Sequence, residues 1–305
     1  MPESQTVNIP EGAWDTHIHV FEPERFAYGL PRSYTPKGAA LKEYPFSFTK
    51  ATNILVVQAT VQGHGPEPLL AVLDDNEKPA PCTGVRGLTT LDPTTSSDAE
   101  LDALHAAGVR GVRLHEVKWG HGDDNGVGAI AGKIKALADR IARLGWVVDV
   151  FTDIHTWAAL DHLIRNELDS RVKLVADHLG KATPGDEKLN EFQVFLKLIK
   201  DGYIYAKLSG FERLYHGHET GIDSLEPSAK AIIEAGPERI LYGSDWPHTQ
   251  LGVSRKGKTD EQRLNEVEGF RDVDDVLHIK KLRAWIQDEQ TWINLWRENP
   301  KRLFQ

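Results

Sequence analysis

The chain has 305 residues, of which 40% are hydrophobic and 27% charged, with a formal net charge of -9 at pH 7 and a mean hydropathy of -0.41. That length holds one large α/β barrel or two ordinary domains, and the composition is that of a soluble globular protein. The acidic balance, with no compact Lys/Arg run to offset it, opposes nucleic-acid binding. No apolar run reaches the length of a membrane span, and residues 1–10 lack a signal-peptide pattern, so a cytoplasmic protein with a small-molecule partner is expected.

The first element is the strand-like run Ala13-Trp14-Asp15-Thr16-His17-Ile18-His19-Val20. Side chains two apart on a strand share a face. If that face looks into a barrel or cleft, His17 and His19 converge on one point, as metal ligation or paired acid/base work requires. On an edge strand they would be surface histidines. Residues 21–50 follow as an inserted aromatic, Pro-rich loop carrying Phe26, Tyr28, Tyr34 and Tyr44, expected to cover the site.

The apolar run 53–60 reads as a parallel strand covered on both faces, with a helical segment at 66–75 after it. A third strand spans 85–90, and Ser97 with Glu100 then forms a capping box for a helix closed by Gly108. Val109–Leu114 is the fourth strand. The alternation continues with strands at 146–151, 172–177, 203–208 and 239–243, separated by helices at 127–144, 156–166, 191–200 and 226–235. Helices between 260 and 303 end the chain. Eight strands alternating with helices is the count of a (β/α)8 TIM barrel, so one α/β domain over 1–305 is expected. Cys82, the single cysteine, excludes an internal disulfide and a thiolate cluster, and Pro81-Cys82-Thr83-Gly84 carries no nucleophile signature.

In such barrels chemistry sits at the C-terminal strand ends. The candidates are His17 and His19 (strand one), Thr60 (two), Arg113, His115 and Glu116 (four), and Asp149 and Phe151 (five). His178 (six), Ser209 and Arg213 (seven), and Asp245 and His248 (eight) complete them. His178 alone reads equally as a strand-end histidine satisfied by a hydrogen bond, and Asp245 as a turn residue. Joined with His17 and His19, they make a polar cluster that packing alone would not select.

Five motifs carry a resemblance: Asp15-Thr16-His17-Ile18-His19, Asp177-His178-Leu179-Gly180, Lys207-Leu208-Ser209-Gly210, Tyr242-Gly243-Ser244-Asp245-Trp246-Pro247-His248, and Asn299-Pro300 with Leu303-Phe304. In this order, across residues 13–304, the chain resembles the amidohydrolase superfamily. Within it the likeness is to the lactonase branch of 2-pyrone-4,6-dicarboxylate lactonase and the sugar-acid and muconolactone lactonases. The resemblance implies an amidohydrolase-like barrel and hydrolysis of a lactone ester.

The chain departs from the two-metal members of that superfamily. Strand five ends Val148-Asp149-Val150-Phe151 with no histidine, and strand four presents Arg113 where a bridging ligand would lie, so a binuclear centre is not expected. One divalent ion, zinc by preference, on His17, His19, His178 and Asp245 stays open, since a catalytic ion needs about three protein ligands and an open position. A metal-free mechanism by the same residues stays open beside it, and no organic cofactor is implied. His115, Glu116 and His155 read as solvated loop residues before extra ligands.

Arg113 and Arg213 suit bidentate recognition of a carboxylate, against the alternative of ion pairs with Glu212 or Asp149. Tyr34 offers a phenol or a stacking face, and Thr60 and His248 complete the substrate-binding set. The expected function is a hydrolase opening a carboxylate-bearing lactone. Asp245 is the base, and His178, His17 and His19, or the ion they hold, polarise the carbonyl. One alternative is a metal-dependent decarboxylase of an aromatic or muconate-type acid, disfavoured because those enzymes look to carry Glu in the first-strand motif where this chain has Asp15. The other is a non-catalytic barrel that binds an acidic metabolite. Neither a nucleic acid nor a membrane is an expected partner, and a homo-oligomer is left open.

Overall fold

A computed structural model describes residues 7–74, 78–115 and 124–305. Eight parallel strands pair in chain order in one sheet. They are β1 (Trp14–Ile18), β2 (Asn53–Val57), β3 (Gly84–Thr89), β4 (Val109–Leu114), β5 (Val147–Val150), β6 (Lys173–Ala176), β7 (Ile204–Ser209) and β8 (Ile240–Gly243). The sheet closes between its ends. Thr16 Oγ1 donates to the Tyr242 carbonyl at 2.6 Å, Asp245 N donates to His17 O at 2.8 Å, and His19 N donates to Trp246 O at 2.8 Å. The architecture is the (β/α)8 barrel that the alternation predicts.

The helices form where caps and apolar spacing direct them. Ser97 Oγ accepts from Glu100 N at 3.3 Å while Glu100 Oε2 accepts from Ser97 N at 2.7 Å, the expected capping box. In Asn190–Lys200 the buried face is Phe192, Phe195, Leu198 and Ile199, at helical spacing. The segment expected as one helix over 156–166 is two, Ile154–Ala159 and Asp161–Asn166, meeting at Leu160. Among the described residues no helix is long and apolar enough to cross a membrane.

Strand periodicity explains why the barrel is apolar below and polar above. Alternate residues share a face, so the inward positions run Val147, Asp149 on β5, Tyr205, Lys207, Ser209 on β7, and Leu241, Gly243 and then Asp245 from β8. The lower layer gathers Trp14, Leu55, Val57, Leu88, Val147, Val175, Tyr205 and Leu241, with Phe304 of the last helix packed on it. The outward faces of the strands, with the helices, form the larger core. On β1 the register against β2 shifts between Asp15 and Ile18. Such a bulge re-aims side chains, so Trp14 belongs to the lower layer while His17 and His19 face the interior above it.

Asp15, also buried, fastens this end of the barrel. Its carboxylate accepts from His17 N at 3.1 Å, Ser244 N at 3.0 Å and the Tyr44 hydroxyl at 2.7 Å. Region 21–50 is thereby tied down, and it has structure of its own. Phe21 and Ala39 exchange backbone hydrogen bonds of 2.8 Å, Thr35–Pro36 pairs in parallel with Val267–Glu268, and a short helix spans Phe46–Thr49.

Candidate active site

Three imidazoles and one carboxylate meet at the mouth of the barrel. His19, His17 and His178 place Nε2 at 3.6, 3.7 and 3.9 Å from Asp245 Oδ1. All four residues are buried. Each ring is oriented from behind. His19 Nδ1 lies 2.6 Å from the Val57 carbonyl, a contact only a protonated Nδ1 can make. His17 Nδ1 lies 3.1 Å from Asp177 Oδ1, and His178 Nδ1 lies 2.8 Å from Ser209 Oγ. Burial pulls all three imidazoles below their ordinary value, His17 well below it.

His19, donating from Nδ1 to the Val57 carbonyl, turns the lone pair of Nε2 inward; the Nδ1 contacts of His17, with Asp177 and at 3.1 Å with Lys207 Nζ, and of His178, with the Ser209 hydroxyl, are compatible with either tautomer. Asp245 is ionised: burial opposes its charge, but the Arg213 guanidinium and the surrounding histidines hold it well below the usual carboxylate range. Its Oδ2 accepts from Arg213 Nε, whereas Oδ1, like His17 Nε2, is buried with no hydrogen-bond partner. The lone pair of His19 Nε2 therefore faces the carboxylate oxygen. What such a set lacks is a cation, and its spacing approaches the edge of about 3.4 Å for a tetrahedron with bonds of about 2.1 Å. The ligand atoms of His17, His19 and Asp245 lie within 4.8 Å of one another, a set that fits one divalent ion, and imidazole with carboxylate suits zinc.

Local backbone makes the convergence possible. Asp245 at φ +66° and His178 at φ +50° occupy the left-handed region, a strain of order 1 kcal/mol or more each that cross-barrel bonds must hold. A Cβ at Gly243 would lie 2.6 Å from His17 Cβ, and one at Gly210 would lie 2.6 Å from His178 Nδ1. Glycine at both positions is a condition for the rings to approach.

Behind His17 sits a buried charge cluster. Lys207 Nζ donates to Asp149 Oδ2 and lies 3.0 Å from Asp177 Oδ1. Burial works against the ammonium, but Asp149 and Asp177 outweigh it and raise the lysine. Burial opposes charge on Asp177 too, yet Lys207 and His17 hold it well below the usual range. Asp149 is pushed up by burial and by the neighbouring Asp177.

Above the cluster opens a cavity of about 590 Å³, lined among others by His19, Tyr34, Thr60, Arg113, His115, Phe151, His178, Arg213 and Asp245. Arg113 Nη1 reaches the Gln58 carbonyl at 3.4 Å, its Nε has no partner, and among the described residues no carboxylate pairs with it. Arg213 is engaged: besides Asp245, its Nη2 donates to Thr249 Oγ1 at 2.8 Å. Tyr34 lies under the Arg255 guanidinium, 3.8 Å from its ring centroid. His115 stacks on Phe151 at 4.6 Å. His155 is exposed and 3.5 Å from Glu191, away from the site; Glu116 lies outside the described residues.

Sequence reasoning missed two groups. Lys207 stands in a motif quoted above, and its parity with Ser209 was the signal that it points inward. Arg255, Lys256 and Arg263, which line the mouth, come from the segment after β8, which reads only as the approach to the last helices. With Arg113 and Arg213 they give the cavity, among the described residues, five cationic side chains against one carboxylate, Asp245; Arg213, Arg255 and Arg263 are paired with Asp245, Glu268 and Asp260, which leaves Arg113 and Lys256 to favour an anionic ligand.

His248, expected on the substrate side, is not among the residues lining the cavity. Its Nε2 lies 2.9 Å from Asp275 and its Nδ1 3.7 Å from Glu212. Burial pulls the imidazole down, but Asp275 and Glu212 outweigh it and push it up to about 10. This value exceeds the ordinary 6.5, so its stabilisation is complete below about 6.5 and drains away as pH rises to about 10. Unfolding free energy should fall by on the order of a few kcal/mol across that window, and His248→Gln should flatten the slope. Denaturant titrations at pH 7 and 9.5 check this, and an unchanged slope in the variant would contradict it.

The chain matches the amidohydrolase family over residues 14–304. It is 32% identical over 271 residues to 2-pyrone-4,6-dicarboxylate hydrolase of Comamonas testosteroni, covering 82% of this chain and 81% of that protein. To a 4-sulfomuconolactone hydrolase of Rhizobium radiobacter it is 28% identical, covering 86% and 84%. In fold it is similar to a probable 2-pyrone-4,6-dicarboxylic acid hydrolase of Acinetobacter baumannii solved with citric acid bound, with TM-score 0.71, 23% identity and coverage of 96% and 99%. A family match that spans the barrel from β1 to the last helix, joined to relatives that share most of its length, has one reading: the chain belongs to the amidohydrolase family, in its lactone-hydrolase branch.

Proposed function

We propose that the chain hydrolyses a lactone that bears a carboxylate, with water attacking the ring carbonyl. The observation that carries this reading is the pairing, in one cavity, of the His–Asp cluster on Asp245 with the guanidinium of Arg113, to which no carboxylate pairs among the described residues. Relatives named for a pyrone dicarboxylate and a sulfomuconolactone support it, since both names describe an anionic lactone.

Lactone opening needs a polarised carbonyl, a base for water and a proton for the leaving ring oxygen. Asp245 is the base. Arg213 on Oδ2 fixes the carboxylate so that Oδ1 faces the cavity beside the three Nε2 atoms. The proton taken from water goes to Asp245 and returns to the departing ring oxygen as the tetrahedral adduct collapses, leaving a hydroxy acid. An ion on His17, His19, His178 and Asp245, zinc by donor type, would supply Lewis acidity at the carbonyl. Arg113 binds the substrate carboxylate through its free donors, and Tyr34 and Thr60 line the same cavity as its walls.

Titration of acid released from a panel of lactones tests the reaction. One equivalent per turnover from at least one carboxylated lactone is expected, with Asp245→Asn slower by at least about 10²-fold while folded. Inactivity across the panel, or wild-type turnover in the variant, would refute the assignment.

The two arginines should separate. Arg113→Lys keeps the charge but loses the planar fork, so kcat/KM for the carboxylated lactone should fall by about 10- to 100-fold, with a neutral lactone nearly unaffected. Arg213→Lys should slow both, because it releases Asp245. Equal losses on charged and neutral lactones in Arg113→Lys would exclude it as the carboxylate ligand.

A further inference from the structure

The orientation of Arg213 has to be imposed from outside, because a side chain so rich in rotamers does not hold itself. It leaves the short helix Phe211–Leu214 after β7, whereas Asp245, to which its Nε donates, follows β8. Thr249 supplies the restraint. The residue is buried, with 6% of its surface exposed, and lines the cavity. Arg213 Nη2 donates both to its hydroxyl at 2.8 Å and to its carbonyl at 3.2 Å. Thr249 is itself clamped by Arg271, whose Nε donates to the same carbonyl at 3.0 Å and whose Nη2 donates at 2.6 Å to Glu212, next to Arg213 in the chain. The Tyr34 phenol adds a contact from the aromatic insertion: burial pushes it up, while Arg255, Arg213, Arg113 and the Thr249 side chain draw it back. Shape alone does not select threonine here, since valine has nearly the same one; the hydroxyl is what distinguishes it.

We infer that Thr249 is a positioning residue: its hydroxyl pins Arg213 Nη2, so that the guanidinium keeps Nε on Asp245 and is withheld from the substrate carboxylate. The inference rests on the lactone reading above and refines it. A guanidinium is planar, so holding Nη2 and Nε from two sides fixes the whole group. Without the hydroxyl only the 3.2 Å bond to the carbonyl remains on Nη2. The group then turns about its own chain, and an incoming carboxylate competes with Asp245 for a bidentate pair. Asp245 loses the partner that aims Oδ1 into the cavity. Arg113 shows the contrast: a long bond of 3.4 Å to the Gln58 carbonyl holds it, and no carboxylate pairs with it among the described residues. Thr249 thereby assigns two similar cations to two tasks, Arg213 to the base and Arg113 to the substrate.

Thr249→Val keeps the shape and deletes the hydroxyl. Its kcat should fall by about 10-fold for carboxylated and neutral lactones alike, without a rise in KM, while Thr249→Ser should retain wild-type turnover. In an Arg213→Lys background Thr249→Val should cost nothing further, whereas a general loss of stability would add to that defect. Equal losses in the valine and serine variants, or additive losses in the double variant, would overturn the inference. The guanidinium is also read directly, without substrate. In protein labelled with ¹⁵N-arginine, the Arg213 signals are identified by their loss in Arg213→Lys. Wild type should show separate Nη1 and Nη2 signals, because the group cannot rotate, and Thr249→Val a single averaged one. Separate signals in folded Thr249→Val would overturn the positioning role whatever the activity. Should the valine variant fail to fold, the same spectra are read on Thr249→Ala, where averaging is expected and separate signals again overturn the proposal. Averaging in a protein that opens no lactone would leave the restraint on Arg213 standing and remove the lactone reading alone.

Discussion

Three imidazoles gathered on one ionised, buried carboxylate are the constraint on which the rest of this barrel depends. The three Nε2 atoms stand 3.6 to 3.9 Å from Asp245 Oδ1, beyond hydrogen-bond distance, and unpaired buried polar atoms cost on the order of 1–3 kcal/mol each. The arrangement persists because every other valence of those residues is occupied. Val57, Asp177 and Ser209 hold the far side of the rings, and Arg213 holds Oδ2 of the carboxylate. Asp15 and the hydrogen bonds between β1 and the exit of β8 lock the two backbone segments together. Among the described residues, Asp245 Oδ1 and His17 Nε2 are left at that point without hydrogen-bond partners.

The barrel was legible because its signals are local. Apolar runs, the Ser97–Glu100 cap and the glycines between elements each act within a few residues, and β-strand ends then nominate side chains by rule. His17, His19, His178 and Asp245 could be named in advance because each stands at such an end in a short motif. What stayed hidden needed a third dimension. The contact between Lys207 and Asp149 joins residues 58 apart in sequence, so although parity with Ser209 turns Lys207 inward, its motif does not name the carboxylates that meet it. The inward turn of His17 depends on a β1 bulge, which a strict alternation from Trp14 would have reversed. Arg213 showed the limit of charge reasoning: guanidinium beside a histidine cluster suggested substrate, and the structure engages it with Asp245.

The mouth of the cavity extends this division of labour. Arg255 is held by Glu268 at 2.8 Å and lies over Tyr34, so a short parallel pairing of Thr35–Pro36 with Val267–Glu268 joins the aromatic insertion to the segment after β8. These rim contacts are long-range and carried by loops, which is why the sequence predicted a covering loop without its partner. Depth and rim therefore have different chemistry. The floor is a fixed cluster of histidines on Asp245, and the walls and rim carry Arg113, Arg255, Lys256 and Arg263.

The central claim is that water attacks a ring carbonyl at this cluster, and the fate of the water oxygen reports on it most directly. Turnover of a carboxylated lactone in H₂¹⁸O should place one ¹⁸O atom in the newly formed carboxylate and none in the released hydroxyl, with no carbon lost from the product. Rearranged lactone carrying no ¹⁸O, or CO₂ formed in proportion to substrate consumed, would contradict the account.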